Sequence, residues 1–345
     1  MRFILSLPLS LCLSFSVHSQ PTHCLQRLAD AESLFQTGIF EDIPDILEDC
    51  LRSYEQPEKL RALKLLVLSR YMNDDITGAE ETMHQLLKEF PQFKPDINDP
   101  VDFQYIFHTF TVKRLISVGI FAGSETAWGI ITEPWSPFAD EYLYAPGFPG
   151  YAVGPQINFH MTKNLVINSQ PALSSYKFRI HYESPINGIL NLKQQEQQML
   201  IELPLNIQFE FLKSRVKPYF KLGGTVGLLI SSHTKSNIER YDPNLDEFIP
   251  SGDIRNDNKE LRNNPIFFAG GGIGMNIELN KSRFFVEINY SQSLNEMLKK
   301  DANRYDQSSL WTEGWFDSDF RINKASLRAG FVKSFYLIRT HKQDI

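Results

Sequence analysis

The chain has 345 residues, which is enough for two domains of ordinary size, and its formal net charge at neutral pH is -6. Charged residues make up 22% of the chain and no stretch is dense in lysine and arginine, so the sequence does not indicate a nucleic-acid partner. Aromatic residues reach 12%, with 26 Phe and 13 Tyr, a content that suits rings placed at a membrane interface.

The first 19 residues have the pattern of a secretory signal peptide. Met1-Arg2 supplies a short positive segment, Phe3 to Val17 is apolar and serine-rich, and Ser19 is a small residue at the expected cleavage point before Gln20. The alternative is an anchoring helix, but the apolar stretch is shorter than the ~20 residues that a membrane-spanning helix needs. No other segment is long and apolar enough either, so any further membrane crossing must use strands.

Residues 20–110 are predicted to form a helical domain. Apolar side chains recur at helical spacing in four segments and one shorter one: Leu25–Leu34, Ile43–Leu51, Leu60–Tyr71, Asp75–Phe90 and Val101–His108. The two pairs of helical segments match each other at an offset of about 36 residues, in the pairs Phe40 and Ile76, Ile43 and Ala79, Leu47 and Met83, and Leu51 and Leu87. The pattern resembles a degenerate pair of tetratricopeptide (TPR) repeats, and the alternative is an unrelated array of helical hairpins.

Two cysteines remain after cleavage of the signal peptide. Cys24 opens the first predicted helix and Cys50 closes the second. Because an antiparallel hairpin brings those two ends together, and an exported protein meets oxidising conditions, we predict a disulfide between them. The alternative is a pair of separate buried thiols.

The sequence pattern changes after about residue 111, where helical periodicity ends and alternation of apolar and polar residues begins. The clearest example is Ile201–Phe211, in which the odd-numbered positions are all apolar and the even-numbered ones are Glu, Pro, Asn and Gln. Its length matches the ~9–11 residues of a tilted transmembrane strand. Weaker or equal alternation occurs in seven more segments: Ile116–Ile120, Gly150–His160, Leu165–Tyr182, Lys217–Leu228, Phe267–Ile277, Phe284–Ser291 and Ala325–Phe331.

The links between these segments alternate between short and long. Three are tight turns, at Thr162-Lys163, Lys213-Ser214 and Asn280-Lys281. Four are long: Ser124–Phe148, Glu183–Glu196, Ser232–Asn264 and Leu294–Arg321. Barrels of the outer membrane have short periplasmic turns and longer outer loops. The fold class is therefore α plus β, with an N-terminal α-helical (TPR-like) domain in the periplasm, an eight-stranded antiparallel transmembrane β-barrel over residues 111–337, and a periplasmic tail over 338–345.

Several of these segments together resemble PorT-type outer-membrane β-barrel proteins. The resemblance rests on Ile201-Glu202-Leu203-Pro204-Leu205, on Lys217-Pro218-Tyr219-Phe220, on the glycine run Gly270–Gly274 and on Phe284–Tyr290. It covers about two-thirds of the chain. It implies the barrel fold in the outer membrane and, for some members, a role tied to protein secretion. The helical N-terminal domain departs from the barrel-only pattern and suggests a periplasmic contact surface.

Five charged residues are predicted to point into the barrel, because they occupy the polar positions of alternating strands: Glu202, Glu210, Lys221, Glu287 and Arg328. A change of parity near Ser174 predicts a β-bulge, which would also turn Lys177 and Arg179 inward. An eight-stranded barrel is just wide enough for side chains to fill it, so these charges are expected to pair and plug the lumen. The alternative is an ion path.

No other site is predicted. The glycines at Gly270–Gly274 lack the helix and the Lys-Ser/Thr pair of a phosphate loop, and we interpret them as room for strand curvature. Asp242, Asn244 and Asp246 open like a calcium loop, but Glu247 replaces the required glycine. The histidines lie outside any hydrolase motif: His160, His181 and His233. We therefore predict no catalytic residue, metal or cofactor.

The leading functional hypothesis is a non-enzymatic scaffold, or an assembly- or secretion-associated component, of the outer membrane. Its expected partners are outer-membrane lipid and a periplasmic protein, since repeat-like helical modules serve protein contacts. The first alternative is a narrow channel for ions or small solutes. The second is an outer-membrane hydrolase or acyltransferase that uses loop residues.

Overall fold

The computed structural model describes residues 21–133, 143–183, 190–211, 214–242, 244–279, 281–300 and 318–341. The predicted signal peptide lies outside them. The chain divides into two compact units, one of Met1–Val112 with Ile338–Ile345 and the other of Lys113–Leu337, called here the helical unit and the barrel unit. None of the described helices is long and apolar enough to cross a membrane.

The helical unit contains five α-helices. They are α1 (Pro21–Thr37), α2 (Ile43–Glu48), α3 (Gln56–Met72), α4 (Ile76–Glu89) and α5 (Val101–His108). The carboxylate of Asp75 caps α4 by accepting a hydrogen bond from the Gly78 amide at 2.9 Å, which satisfies one of the free donors of the first turn. Helix α2 is shorter than the predicted segment, because the chain forms turns from Asp49 to Ser53.

Apolar residues from all five helices form two buried clusters in this unit. Ile43 and Leu47 on α2, and Ala79 and Met83 on α4, are at most 1% exposed, so two of the four pairs that match at the 36-residue offset occupy cores, whereas Ile76 is 49% exposed. Cys24 and Cys50 form a disulfide, with Cα atoms 5.6 Å apart.

Tyr54 adds a second tie beside the disulfide. Its hydroxyl donates a hydrogen bond to the Cys24 carbonyl at 3.0 Å, and burial raises the pKa of this phenol above its ordinary value. The start of α1 is therefore held to the segment before α3 by one covalent and one polar contact.

The barrel unit is built from antiparallel strands. The strands are β1 (Phe110–Glu133), β2 (Leu143–Pro146), β3 (Gly150–His160), β4 (Leu165–Ser169), β5 (Ala172–Glu183), β6 (Leu190–Glu210), β7 (Val216–Asp242), β8 (Glu247–Asp257), β9 (Ile266–Leu279), β10 (Ser282–Ser293) and β11 (Asp319–Thr340). Nine of these strands close into an eight-membered ring, in which β4 and β5 share one place. The order is β1, β3, β4 with β5, β6, β7, β9, β10 and β11, and β11 pairs with β1. Here β4 and β5 are two parts of one interrupted strand, while β2 and β8 pair outside the ring.

The alternation of side chains agrees with the predicted faces. On β6 the apolar residues Ile201, Leu203 and Leu205 are exposed on the outer surface, while Glu202 and Glu210 are buried inside. The same period of two continues on β7, where Leu222 faces out and Lys221 faces in. The outer surface is therefore an apolar band suited to lipid. The end of the barrel with the short turns is called here the turn end, and the opposite end, with the long connections, is called the loop end. Polar residues line the half of the lumen that is nearer to the turn end.

Two predictions about the loop end of the barrel are wrong. Three of the predicted long loops are partly strand, since β1, β6 and β7 continue past Ser124, Glu196 and Ser232. The parity of β5 does not change near Ser174, and Lys177 and Arg179 therefore lie on the outward side.

The predicted change of parity in β5 is wrong because the lumen near the loop end is apolar. Phe178 and Ile180 on β5 are buried inside it, in an apolar cluster, whereas an inward-polar lumen was assumed for the whole strand. The irregularity is found elsewhere: the β6–β7 pairing shifts register between Met199 and Leu200, opposite Ile230.

Removal of the disulfide is expected to destabilise the helical unit by about 3 kcal/mol, because the cross-link closes a loop of 26 residues and restricts the unfolded chain. The double variant Cys24→Ala/Cys50→Ala of the full chain should lose its helical circular dichroism signal at lower temperature. Reducing agent should reproduce the shift in the native chain and leave the variant unchanged. An unaltered melting profile after full reduction would contradict this role.

Candidate functional site

The lumen of the barrel unit is the candidate functional site, and its charges form four layers along the strands. The central layer joins Lys221 on β7 to Glu287 on β10, with the ammonium 2.7 Å from a carboxylate oxygen. Tyr219 donates a hydrogen bond to the other oxygen of Glu287 at 2.7 Å, and the Gln170 amide donates to Glu287 at 3.0 Å. Both charged side chains are at most 4% exposed.

The next layer toward the loop end contains two carboxylates and two cations. Lys324 on β11 donates to Glu202 and lies 2.9 Å from Glu125 on β1. Arg328 lies 3.7 Å from Glu125 and 3.8 Å from Glu202. Aromatic rings cover the cations, with the Lys324 ammonium 4.3 Å from the centroid of Phe268. Such a contact helps to stabilise a desolvated cation.

The layer at the turn end is the most accessible of the four. Glu278 on β9 binds Arg114 at 2.8 Å and Lys217 at 2.9 Å. Beside this group, Arg283 on β10 donates to Glu210 on β6 at 3.0 Å.

The outermost layer is a single ion pair between Glu196 on β6 and Arg262. Both side chains are completely buried, and Arg262 Nε donates to Glu196 at 2.9 Å while Nη2 donates to the second oxygen. Arg262 follows a short 3-10 turn (Lys259–Leu261), so a loop residue reaches into the barrel. Ser232 also donates to Glu196, so this carboxylate is well satisfied despite its burial.

Apolar residues fill the lumen at the same height. Tyr176, Phe178, Leu200, Phe268 and Phe320 belong to one buried cluster, together with Met297 and Leu298 from the segment between β10 and β11. Backbone hydrogen bonds hold this segment against the Arg262 segment: Asn263 N donates to Met297 O at 2.8 Å and Lys299 N to Leu261 O at 3.0 Å. Two described loop segments therefore close the barrel from the loop end.

A small cavity of about 50 Å³ remains between the central layer and the layer above it. Lys221, Glu125, Glu202 and Arg328 line it, and both sides carry charged groups. A space of this size has room for only a few water molecules, so it is far too small for an organic substrate.

The structure places all five predicted lumen charges inside the barrel. Their exposed fractions range from 2% to 8%, for Glu202, Glu210, Lys221, Glu287 and Arg328. Each forms an ion pair, and these pairs link strands on different sides of the ring.

Sequence reasoning missed most of the other charged residues that lie in the lumen, which are Arg114, Glu125, Glu196, Arg262, Glu278, Arg283 and Lys324. Glu278 and Arg283 have the same inward parity as Asn276 and Glu287 on their strands, so extension of the alternation to the strand ends would have identified them. Arg262 has no such signal, because a loop and not a strand carries it into the lumen.

Other candidate sites of the sequence have structural explanations. A Cβ atom at Gly270 would lie 2.2 Å from the Tyr290 carbonyl oxygen, so this glycine permits close approach of two strands. Asp242 accepts a hydrogen bond from the Asn244 amide at the tip of the β7–β8 hairpin, and Asp246 binds Tyr241.

Two further clusters contain side chains of the types that bind metals or act in catalysis. His23 lies with Cys24 and Cys50, all ligand atoms within 4.8 Å, but disulfide sulfurs are not thiolate ligands. Ser117 Oγ lies 2.9 Å from His160 Nε2, at the turn end, where Arg283 also contacts both groups at 3.2 Å. In the part of the chain that the structure describes, no carboxylate binds this histidine, so the pair lacks the orienting group of a catalytic triad.

Comparison with known proteins agrees with this geometry. Residues 133–299 match the family model described as outer membrane protein beta-barrel domain. The match covers slightly less than half of the chain and shows that this part of the barrel unit is similar to that domain. The ring of eight strands is consistent with this similarity. No curated protein matches the sequence.

Several solved structures are similar to the barrel at low identity. Neisserial surface protein A (NspA) is 11% identical over 65% of this chain and 99% of its own, with a TM-score of 0.29. OprG from Pseudomonas aeruginosa is 11% identical over 64% and 96%, with a TM-score of 0.31. The outer membrane protease OmpT from Escherichia coli is 10% identical over 65% and 98%, with a TM-score of 0.24. Likenesses at this level carry no argument about function.

Removal of the Arg262 side chain from the outermost ion pair is expected to loosen the two segments that close the barrel at its loop end. Arg262→Ala leaves the Glu196 carboxylate buried without its cation, a loss of about 3–5 kcal/mol, so amide hydrogen exchange in residues 258–265 and 294–300 should accelerate at least ~100-fold. The matched control is Arg321→Ala, which removes the half-exposed Arg321–Glu296 pair and should change exchange by less than about tenfold. Equal exchange in the two variants would show that Arg262 does not hold the closure.

Proposed function

We propose that this protein is a non-conducting, non-enzymatic scaffold of the outer membrane whose helical unit binds a protein partner in the periplasm. The barrel unit anchors the chain, and the helical unit provides the specific contact. A role in assembly or secretion, of the kind that the resemblance to PorT-type proteins implies, is the proposed setting. The observation that carries the proposal is the filled lumen.

The filling of the lumen argues against transport through it. Six carboxylates and seven cations face inward among the described residues, and each of the six carboxylates has a cation within 4 Å. A path for ions requires an open, hydrated route with sites that bind weakly enough to release their ion. Here the paired charges and the apolar cluster occupy that space.

The charge of the helical unit indicates the chemistry of its partner. Between Pro21 and Val112 the chain has 17 acidic and 8 basic residues, a formal net charge of -9 with histidine neutral. The barrel unit is close to neutral by the same count, at 24 basic and 23 acidic residues between Lys113 and Leu337. Complementary charge speeds association and selects partners, so the expected partner has a basic surface.

Exposed apolar side chains mark one end of the helical unit. Tyr54 contacts the start of α1 and Arg61 pairs with Glu32 further along it at 2.5 Å, so α1 and α3 run in the same direction. Helix α4 runs the opposite way, since Lys59 near the start of α3 lies 3.8 Å from Glu89 at the end of α4. The end of α1, the end of α3 and the start of α4 therefore share one end of the unit.

This end, called the acidic corner, consists of Ile39, Met72 and Ile76 with the acids Glu41, Asp42 and Asp74. The three apolar side chains are 46%, 40% and 49% exposed. Exposed apolar side chains with acids at nearby positions of the chain fit a partner segment that combines apolar and basic side chains.

A crosslinking experiment in purified envelopes tests this partner. A photoreactive residue in place of Ile39 in the full chain is expected to give a discrete adduct that weakens at high salt. The adduct should fall at least ~tenfold when Ile76→Glu and Met72→Glu are added, because a hot-spot contact contributes about 2 kcal/mol or more. The control site is Leu25, which is 46% exposed near the other end of α1 and should give no such adduct. An adduct that is unchanged by the two substitutions would refute the acidic corner as the docking surface.

The channel alternative predicts a different measurement. The purified full-length protein is expected to be electrically silent in planar bilayers, because Glu196–Arg262 and the apolar cluster close the lumen. Discrete conductance steps whose ion selectivity changes in Lys221→Gln or Arg328→Gln would instead establish a pore and overturn the scaffold proposal.

A further inference from the structure

Basic side chains surround the turn end of the barrel unit, one at each point where strands meet. They are Lys113 on β1, Lys163 in the β3–β4 turn, Arg215 before β7, Lys281 before β10 and Lys333 on β11, and are called here the basic collar. Backbone contacts place two of these residues at the level of the short turns. The Arg215 carbonyl accepts from Glu278 N at 2.9 Å, and Lys333 pairs in register with Ser282 beside the β9–β10 turn.

Four of the five side chains of the basic collar have no acidic partner among the described residues. Lys113, Lys163, Arg215 and Lys333 are exposed, and none of these four pairs with a carboxylate of a described residue. Two carboxylates lie near the same end, Glu210 and Glu278, but both are buried in the lumen and bound to other cations. The exposed surface at this end is therefore cationic in the part of the chain that is described.

An aromatic belt lies next to the basic collar on the outer surface. Phe159, Phe211, Phe331 and Phe335 are between 46% and 55% exposed there. Phe209 and Phe220 contact Phe211 with ring centroids 5.4 and 5.5 Å away. Aromatic belts of barrels lie at the boundary between the hydrocarbon and the headgroups, so the side chains just beyond this belt meet the headgroup layer.

We propose that the basic collar binds the phosphate groups of anionic phospholipids in the leaflet at the turn end, and so selects such lipids around the barrel. The cations are spread over the whole ring and adjoin a lipid-facing surface, which fits a shell of lipids better than a single protein contact. A cation near a membrane surface increases anionic-lipid association about fivefold. The loop end differs, because its exposed cations are interspersed with acids such as Glu239, which pairs with Lys193.

This inference rests on the barrel assignment and is independent of any partner of the helical unit. The test uses the full-length protein in bilayer discs of phosphatidylcholine with a minority of phosphatidylglycerol. Lipids that remain bound are counted by native mass spectrometry. The native chain is expected to retain phosphatidylglycerol at about tenfold or more above its share in the bilayer.

The test variant replaces four cations of the basic collar by glutamine: Lys113→Gln, Lys163→Gln, Arg215→Gln and Lys333→Gln. It should lose this enrichment. The matched control makes the same charge change at four exposed loop-end positions: Lys193→Gln, Arg255→Gln, Lys259→Gln and Lys300→Gln. The control should keep the enrichment, as should a variant with arginine at Lys113, Lys163 and Lys333, which preserves charge.

Three outcomes would overturn the proposal. They are no enrichment by the native chain, equal loss in the test and control variants, and a collar-dependent dimer of the protein in place of bound lipid. Variants of single basic-collar positions keep the test decisive if the fourfold variant fails to fold, since each is expected to remove part of the enrichment while the single control variants remove none.

Discussion

A strand that crosses a membrane must satisfy its backbone N–H and C=O groups through neighbouring strands, because hydrocarbon offers no partner. In this protein the requirement is met by closure of eight strands into a ring, with β11 returning to β1. Closure also defines an inside that is narrow and shielded. The polar and charged positions of each strand are forced into that space, so the ring determines which side chains meet.

The pairing of lumen charges follows from this confinement. An isolated charge in such a space is costly, and each inward carboxylate accordingly lies beside a cation, as Glu287 does beside Lys221 and Glu196 beside Arg262. The loop-end half encloses the Glu196–Arg262 pair in an apolar cluster, with Phe178 and Phe320 packed inside. Both solutions fill the barrel, and this makes the lumen a structural core. The surfaces left for function are the helical unit and the outer face.

The two units have different electrostatic character. The helical unit carries a large negative excess and an acidic corner that includes exposed apolar residues, while the turn end of the barrel presents exposed cations beside an aromatic belt. A negative, partly apolar surface suits a basic protein segment, and a cationic rim suits anionic headgroups. The proposed protein contact and the proposed lipid contact therefore use separate surfaces and opposite charges.

Much of this could be predicted from the sequence, because a period of two sets the face of every residue in a strand such as Ile201–Phe211. The eight strand positions, the lumen location of Glu202 and Lys221, and the approach of Cys24 to Cys50 all follow from local periodicity and hairpin geometry. Only the tertiary structure decided which charges pair. Glu125 on β1 and Lys324 on β11 become neighbours only when the ring closes, and Glu202 on β6 reaches Lys324 across the ring. It also decided that Arg262 and the Met297–Leu298 segment fold into the lumen and that Phe178 faces inward. Periodicity shows which face of a strand a residue lies on, but it does not show whether the lumen at that level is polar or apolar. Loops have no periodic pattern from which a position could be predicted.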